Sequence, residues 1–235
     1  NCRGACGKSN VAAELLKSSG IFSPFIKGGR GDLTPVGAES LLIRHTECMG
    51  KKTLLVGGGD DRGLMYALLD VADRIGWASD PKNPLNEVKD AVEQPAVVER
   101  ALSIYTMSRT HFESFFYNED YWAKYLDMLA RNRFNTFALL FAYESSGYFA
   151  PPYPYFFDVD GFPDVYVECL TQEHQQRNLK ALNRLIEMTH ARGLNFTLGI
   201  WDHIFRGGVQ RGSEQEAEGP LRWRVSGVTT DNLMA

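Results

Sequence analysis

The sequence of 235 residues predicts an α/β protein: a small α+β domain, then the first roughly three β/α units of a parallel (β/α)8 barrel. Three observations predict this fold class. Strand-like and helix-like segments alternate after residue 98, residues 1–80 have a different pattern, and a proline-rich stretch separates the two regions. Alternation of strands and helices is typical of a parallel sheet covered by helices.

Residues 1–80 predict the small α+β domain. Residues 11–16 place apolar side chains at helical spacing, and residues 40–57 predict a β-hairpin that turns near Gly50. A helix is predicted from Asp61 to Ile75. We expect one apolar stripe of this helix to pack on the sheet. The stripe consists of Leu64, Met65, Leu68, Leu69, Ala72 and Ile75.

Residues 81–97 predict a linker between the two domains. Pro81, Pro84 and Pro95 lie here among Asp, Asn and Glu residues. Because proline has no backbone N–H, it cannot donate a hydrogen bond to a neighbouring strand. We therefore expect this segment to cross the surface.

Residues 98–235 predict the N-terminal part of a barrel. A complete barrel has eight strands, so we expect this region to be truncated, with unpaired edges on its first and third strands. Residues 144–170 are rich in proline and aromatic residues, and we expect them to lie over the mouth of the barrel. The predicted strands are Ala101–Met107, Phe134–Phe141 and Phe196–Trp201, and the predicted helices are Glu119–Arg133 and Gln172–Arg192.

Composition and charge exclude several classes of function. The net charge is −4 and the basic residues are scattered, so binding to nucleic acid is not expected. The chain has no run of about 18 apolar residues, so no membrane span is predicted. Cys2, Cys6, Cys48 and Cys169 lack the spacing of a zinc site, and we expect no metal.

No cofactor is predicted either. Residues 57–59 are three consecutive glycines between a strand and a helix, but the third glycine of a dinucleotide fingerprint would fall on Arg62. Gly7-Lys8-Ser9 lacks the glycine that begins a phosphate-binding loop. We interpret residues 57–59 as a tight turn from strand to helix, with Asp60 or Asp61 as the helix cap.

Residues 39–78 carry a resemblance to a known family. The phrase GDDRGLMYALLDVADRIGW at residues 59–77 resembles the small domain that precedes the barrel in β-N-acetylhexosaminidases of glycoside hydrolase family 20 and in α-glucuronidases of families 67 and 115. The matching positions include Arg62, Tyr66 and Arg74. In those families this domain is structural, so the resemblance implies structural roles for these residues.

Two phrases of the second region resemble glycosidase barrels. Residues 121–136 are similar to the helix and turn of the first barrel unit, where we expect the Asn135 side chain to fix the turn to the backbone. Residues 190–194 are similar to the phrase before the third strand, with Gly193 as the helix cap. The resemblance implies the N-terminal portion of a glycoside hydrolase, similar to a β-hexosaminidase or an α-glucuronidase, that acts on a polysaccharide or glycan. The alternatives are a carbohydrate-binding protein without catalysis and an α/β module with no sugar role.

The resemblance implies that the catalytic acids are not in this chain. Glycoside hydrolysis usually needs two carboxylates, and in these families they come at or after the fourth strand. We therefore expect the catalytic residues beyond residue 235 and expect this chain alone to be inactive. The residues predicted to contact substrate follow the ends of the three strands, and they are Arg109, His111, Glu144, Trp201, Asp202 and His203.

These side chains suit a sugar ligand. Arg109 is suited to a substrate carboxylate. Trp201 offers a flat apolar surface for a sugar ring, and Asp202 with His203 offers partners for hydroxyl groups. The expected partner is thus a carbohydrate substrate, and a glycan-degrading enzyme of this kind would be periplasmic or secreted. The sequence predicts no oligomeric state.

Overall fold

The computed structural model of the protein is a mixed α/β fold with helices and small sheets. The chain divides into two compact units, Asn1–Val98 and Glu99–Ala235, which are described separately. The residues that the structure describes are 37–48, 50–104, 109–141, 153–167, 170–200 and 225–226.

The first unit contains a three-stranded antiparallel sheet. Strands β1 (Leu41–Cys48) and β2 (Lys51–Gly58) form the predicted hairpin, and Gly50 in its turn has a left-handed φ of 73°. Helix α1 (Asp61–Gly76) follows. Strand β3 (Ala91–Glu93) pairs with β1, which gives the order β2-β1-β3.

Helix α1 packs on this sheet by a different face from the one predicted. Tyr66 and Ala67 are buried with Leu41 and Ile43 of β1. Of the predicted stripe, Met65 packs partly against this core, whereas Leu68 is 53% exposed, and Leu64 and Ile75 are also exposed. The physical reason is the small residue Gly63, which lets the helix approach β1 so closely that a Cβ at this position would lie 2.1 Å from the carbonyl oxygen of Ser40.

The start of α1 is fixed by side chains around the turn after β2. The Asp60 carboxylate accepts hydrogen bonds from the backbone N–H groups of Gly63 (2.8 Å) and Glu39 (3.0 Å), so Asp60 is the helix cap. The Arg62 guanidinium donates to the carboxylate of Glu39. The structural role predicted for Arg62 agrees with these contacts. The tight turn predicted for residues 57–59 needs correcting, because Gly57 and Gly58 still pair with Leu42 and Leu41 in β2, and the chain bends only at Gly59 and Asp60.

The segment 81–97, predicted as a surface linker, is partly integrated into the first unit. It contains a short 3-10 helix (Pro84–Glu87) and strand β3. Val88 between them is 1% exposed and belongs to the core of this unit. The linker prediction needs correcting here, because Val88 between the prolines is buried and β3 pairs with β1.

The second unit contains a three-stranded parallel sheet. Its strands are β4 (Ala101–Ser103), β5 (Thr136–Phe141) and β7 (Asn195–Ile200), in the order β4-β5-β7. Among the described strands, β4 and β7 form the two edges. This order is the one expected of successive β/α units, while the truncated barrel remains a prediction.

Helices connect these parallel strands. Helix α2 (Arg109–Phe116) and helix α3 (Glu119–Arg131) lie between β4 and β5, and helix α4 (Gln172–His190) lies between β5 and β7. A 3-10 turn (Tyr153–Tyr155) precedes α4. A further strand, β6 (Tyr166–Val167), pairs antiparallel with β8 (Val225–Ser226).

Local chemistry explains where these elements begin and end. Helix α3 stops before Arg133, which has a left-handed φ of 61°, and α4 stops before Gly193, which has a φ of 68°. The Asn135 side chain accepts a hydrogen bond from the backbone N–H of Arg100 (2.9 Å), as predicted for this turn. The first strand ends earlier than predicted, since β4 stops at Ser103 and Ile104 lies outside it. Residues 105–107 of the predicted strand fall outside the described part.

An aromatic core holds the second unit together. Trp122 of α3 is 2% exposed, and its indole N–H donates to the carbonyl oxygen of Phe116 (3.0 Å). Its ring contacts those of Phe115 and Phe137, with centroids 5.7 and 5.5 Å away. Phe137 of β5 is fully buried, so the sheet and the helices share one core.

Candidate functional site

The carboxyl edge of the parallel sheet is the candidate functional site. Because β4, β5 and β7 are parallel, their carboxyl ends lie along one edge. Ligands bind at this edge both in closed barrels and in open parallel sheets. By chain connectivity, the segments that leave this edge are the β4–α3 connection with α2, the β5–α4 connection, and the residues after β7.

The structure describes two of the six predicted substrate contacts, and both lie on α2. Arg109 is the first residue of this helix. His111 is exposed, and its ring lies edge-on to that of Phe115 at 5.6 Å. The remaining four residues lie outside the described part of the chain, so their convergence remains a prediction; they are Glu144, Trp201, Asp202 and His203.

Helix α2 is not among the helices predicted from the sequence, which placed Arg109 and His111 only after the end of the first strand. Its buried residues Phe112, Phe115 and Phe116 pack into the aromatic core. Their spacing of three and four residues is the signal that indicates a helix here. Arg109 and His111 are therefore carried by a short helix rather than by an irregular loop.

A partly buried hydrogen-bond network joins two of the segments that leave this edge. Asn178 of α4 is fully buried, and its amide oxygen accepts from the Tyr117 hydroxyl at 2.5 Å. Its amide nitrogen donates to the backbone carbonyl of Tyr155 at 2.9 Å. The Tyr155 hydroxyl donates to the carboxylate of Glu113 on α2 at 2.9 Å. We call these four residues the Asn178 network.

Two further features belong to the surroundings of this network. The Tyr117 hydroxyl also lies 3.0 Å from the Nε2 of His174. Burial, followed by the charges of Tyr117 and Glu113, raises the pKa of Tyr155, so its hydroxyl stays protonated and serves as a donor.

A shallow cleft lies beside the network. The cleft has a volume of about 600 Å³. Arg177 lies in its wall, and the guanidinium carbon of this residue is 3.9 Å from the centre of the Tyr117 ring. This cation–π contact covers one face of the ring. The carboxylates of the cleft are acceptors suited to hydroxyl groups. The lining residues are Glu113, Ser114, Tyr117, Asn118, Glu119, Asp120 and Arg177.

The described part of the aromatic insertion packs largely into the core. Tyr155 and Phe156 are at most 1% exposed, whereas Tyr153 and Phe157 are 36% and 42% exposed. The insertion was expected to lie over the mouth of the site, yet its two buried rings serve packing. Its residues Tyr148 and Phe149 lie outside the described part.

Two kinds of feature are absent from the described residues. No group of three or more His, Cys, Asp or Glu side chains there is arranged to hold a metal ion. None of the helices in the described ranges combines the length and the apolar character needed to cross a bilayer.

Comparison with known proteins identifies a distant relationship of fold. No protein-family model matches the chain, and no curated protein matches it. One similar solved structure is that of a GH138 enzyme targeting pectin rhamnogalacturonan II, with a TM-score of 0.53 and 18% sequence identity. The match covers 78% of this chain and 26% of that chain, so this chain spans about a quarter of the enzyme's length. The likeness shows a distant glycoside hydrolase-like fold.

Proposed function

We propose that this chain is part of a glycoside hydrolase that acts on a polysaccharide or glycan. The observation that carries the proposal is the structural likeness to a glycoside hydrolase over 78% of the chain. The parallel order β4-β5-β7, with helices between the strands, supports it, because this order brings the strand ends together at one edge.

In this proposal the sugar contacts lie at the carboxyl edge. Arg109 on α2 binds a carboxylate of the substrate, and Trp201, which follows β7, stacks on a sugar ring. Asp202 bonds to sugar hydroxyls. His111, Glu144 and His203 complete the set as further polar contacts. The catalytic acids are not assigned within this chain.

The finer assignment concerns the type of sugar. The resemblance of residues 39–78 favours a β-hexosaminidase or α-glucuronidase type of enzyme. An arginine at the substrate-binding edge favours an acidic sugar, since the guanidinium group forms paired hydrogen bonds with a carboxylate. Pectin rhamnogalacturonan II, the target of the similar GH138 enzyme, is the first polysaccharide to try.

The test is a hydrolysis assay of the full-length gene product. The substrates are rhamnogalacturonan II, aryl β-N-acetylhexosaminides and oligosaccharides that contain glucuronic acid, and the readout is the release of new reducing ends or aryl groups. Hydrolysis of any of them supports the proposal. Binding without hydrolysis would favour the alternative, a carbohydrate-binding protein. If the protein neither bound nor hydrolysed any of these substrates, both the proposal and the alternative would be contradicted.

Replacing Arg109 with alanine should weaken the binding of acidic substrates more than the binding of neutral ones. The loss of a charged hydrogen-bond pair costs about 1.5–3 kcal/mol, so we expect KM for an acidic oligosaccharide to rise by about 10- to 100-fold. KM for a neutral one should change little. The Arg131→Ala variant, at an exposed position on α3, is the control. Equal effects of Arg109→Ala on both substrates would show that Arg109 does not bind a carboxylate.

A further inference from the structure

We propose that Asn178 is a positioning residue for the sugar site, which acts by fixing helix α2 and the residues that α2 carries. This inference rests on the proposed function, since it concerns the same site. Asn178 lies on α4, away from all six predicted substrate contacts in the sequence. It acts on Arg109 and His111 through the Asn178 network.

The Asn178 amide connects two segments of the chain. It is fully buried, and its oxygen and nitrogen bond to two different β/α connections. Tyr117 directly follows α2, and Tyr155 belongs to the connection between β5 and α4. One side chain on a long helix therefore ties together two segments that leave the carboxyl edge.

Helix α2 depends on tertiary contacts. It has 8 residues, and isolated helices shorter than about 12–15 residues are only marginally stable in water. Its phenylalanines supply apolar burial, which has little directional preference. Hydrogen bonds, by contrast, weaken steeply when their angle changes. The bonds at Glu113 and Tyr117 therefore set the orientation of α2.

Helix α4, which carries Asn178, is a rigid support for the network. Helix α4 has 19 residues and is held in the core by Leu182 and Leu185. Gln175, one turn before Asn178, also donates to the carbonyl oxygen of Pro154 at 3.1 Å. Gln175 also donates to the Asp158 carboxylate at 3.1 Å, so the side chains of α4 make three hydrogen bonds to the connection before this helix. The position of a substrate contact on α2 therefore depends on α4, the longest helix among the described residues.

The test compares three variants in the full-length gene product. Asn178→Asp has nearly the same shape, but its ionised carboxylate cannot donate to the Tyr155 carbonyl. Tyr155→Phe removes the hydroxyl that donates to Glu113 and keeps the buried ring, so it serves if the first variant folds poorly. Thr189→Val is the matched control, because the Thr189 hydroxyl is buried on the same helix and donates within it, to the carbonyl of Leu185 (2.7 Å).

The first readout needs no activity. Hydrogen exchange measured by mass spectrometry should become faster in residues 109–117 in Asn178→Asp and Tyr155→Phe. Exchange in β5 should stay slow in both variants, and Thr189→Val should leave residues 109–117 unchanged. Unchanged exchange of residues 109–117 in both network variants would overturn the inference.

The second readout separates positioning from general stability. We expect KM for an acidic oligosaccharide to rise by about 10- to 100-fold in Asn178→Asp, with a smaller change in kcat, because a misplaced α2 misplaces Arg109. The KM ratio of variant to wild type should shrink as the pH falls, since the carboxyl group that N178D introduces can donate to the Tyr155 carbonyl once it is protonated. The titratable and charged groups around this position include Glu113, His174 and Arg177.

The outcomes distinguish this inference from the proposed function. Wild-type hydrolysis together with an unchanged KM in Asn178→Asp would overturn the inference alone. A wild-type protein that neither hydrolyses nor binds any glycan would overturn the proposed function, and the site role of Asn178 with it.

Discussion

Replacing Trp122 with alanine is expected to lower the free energy of unfolding of the second unit by about 3–5 kcal/mol. Trp122 is 2% exposed and packs between helix α3 and the sheet. The substitution leaves a cavity among aromatic rings and removes the donor to the Phe116 carbonyl. Denaturant unfolding followed by circular dichroism measures the loss.

The control for this variant is Trp77→Ala. Trp77 is 77% exposed, so the same change of residue type removes little buried surface. We expect its effect to stay within about 0.5 kcal/mol. Similar losses in the two variants would contradict the assignment of Trp122 to the core.

Replacing Gly63 with alanine should destabilise the first unit, although alanine favours helices. A Cβ at Gly63 would lie 2.1 Å from the carbonyl oxygen of Ser40, and backbone atoms cannot move aside as a flexible side chain can. Overpacking costs about 1–3 kcal/mol or more, which exceeds the gain of up to about 1 kcal/mol in helix propensity. The expected result is a lower melting temperature of the first unit.

Gly76→Ala tests the same substitution without the clash. Gly76 ends α1, and among the described residues no atom beyond its chain neighbours and its own helix backbone lies within 4 Å of a Cβ placed there. This variant should be neutral or slightly more stable than the wild type. If Gly63→Ala were as stable as Gly76→Ala, the close contact between Gly63 of α1 and Ser40, the residue before β1, would be contradicted.

The sequence predicts the longer elements well and the packing faces less well. Helices α1, α3 and α4 have strong periodicity and clear caps, so their positions follow from local chemistry. The rotation of α1 does not, because it depends on the contact between Gly63 and Ser40 across the unit. Strand β3 has 3 residues among prolines and forms through pairing with β1, which no local pattern indicates.

The candidate site shows the same limit. The carboxyl edge follows from the order of strands and helices, but the Asn178 network does not, because Tyr117 lies 61 residues before Asn178 and Tyr155 lies 23 residues before it. One signal was present in the sequence. Asn178 falls four residues before Leu182, on the apolar face of α4, and a polar residue there needs a buried partner.

The most direct test of the central claim is the affinity of the full-length gene product for its polysaccharide, measured for Trp201→Ala and Trp77→Ala by titration calorimetry. The claim places sugar binding at the carboxyl edge, and Trp201 directly follows β7 at that edge. We expect Trp201→Ala to weaken binding by about tenfold or more, because the stacking surface proposed for a sugar ring is lost, and Trp77→Ala to leave it unchanged. Wild-type affinity in Trp201→Ala would contradict the claim.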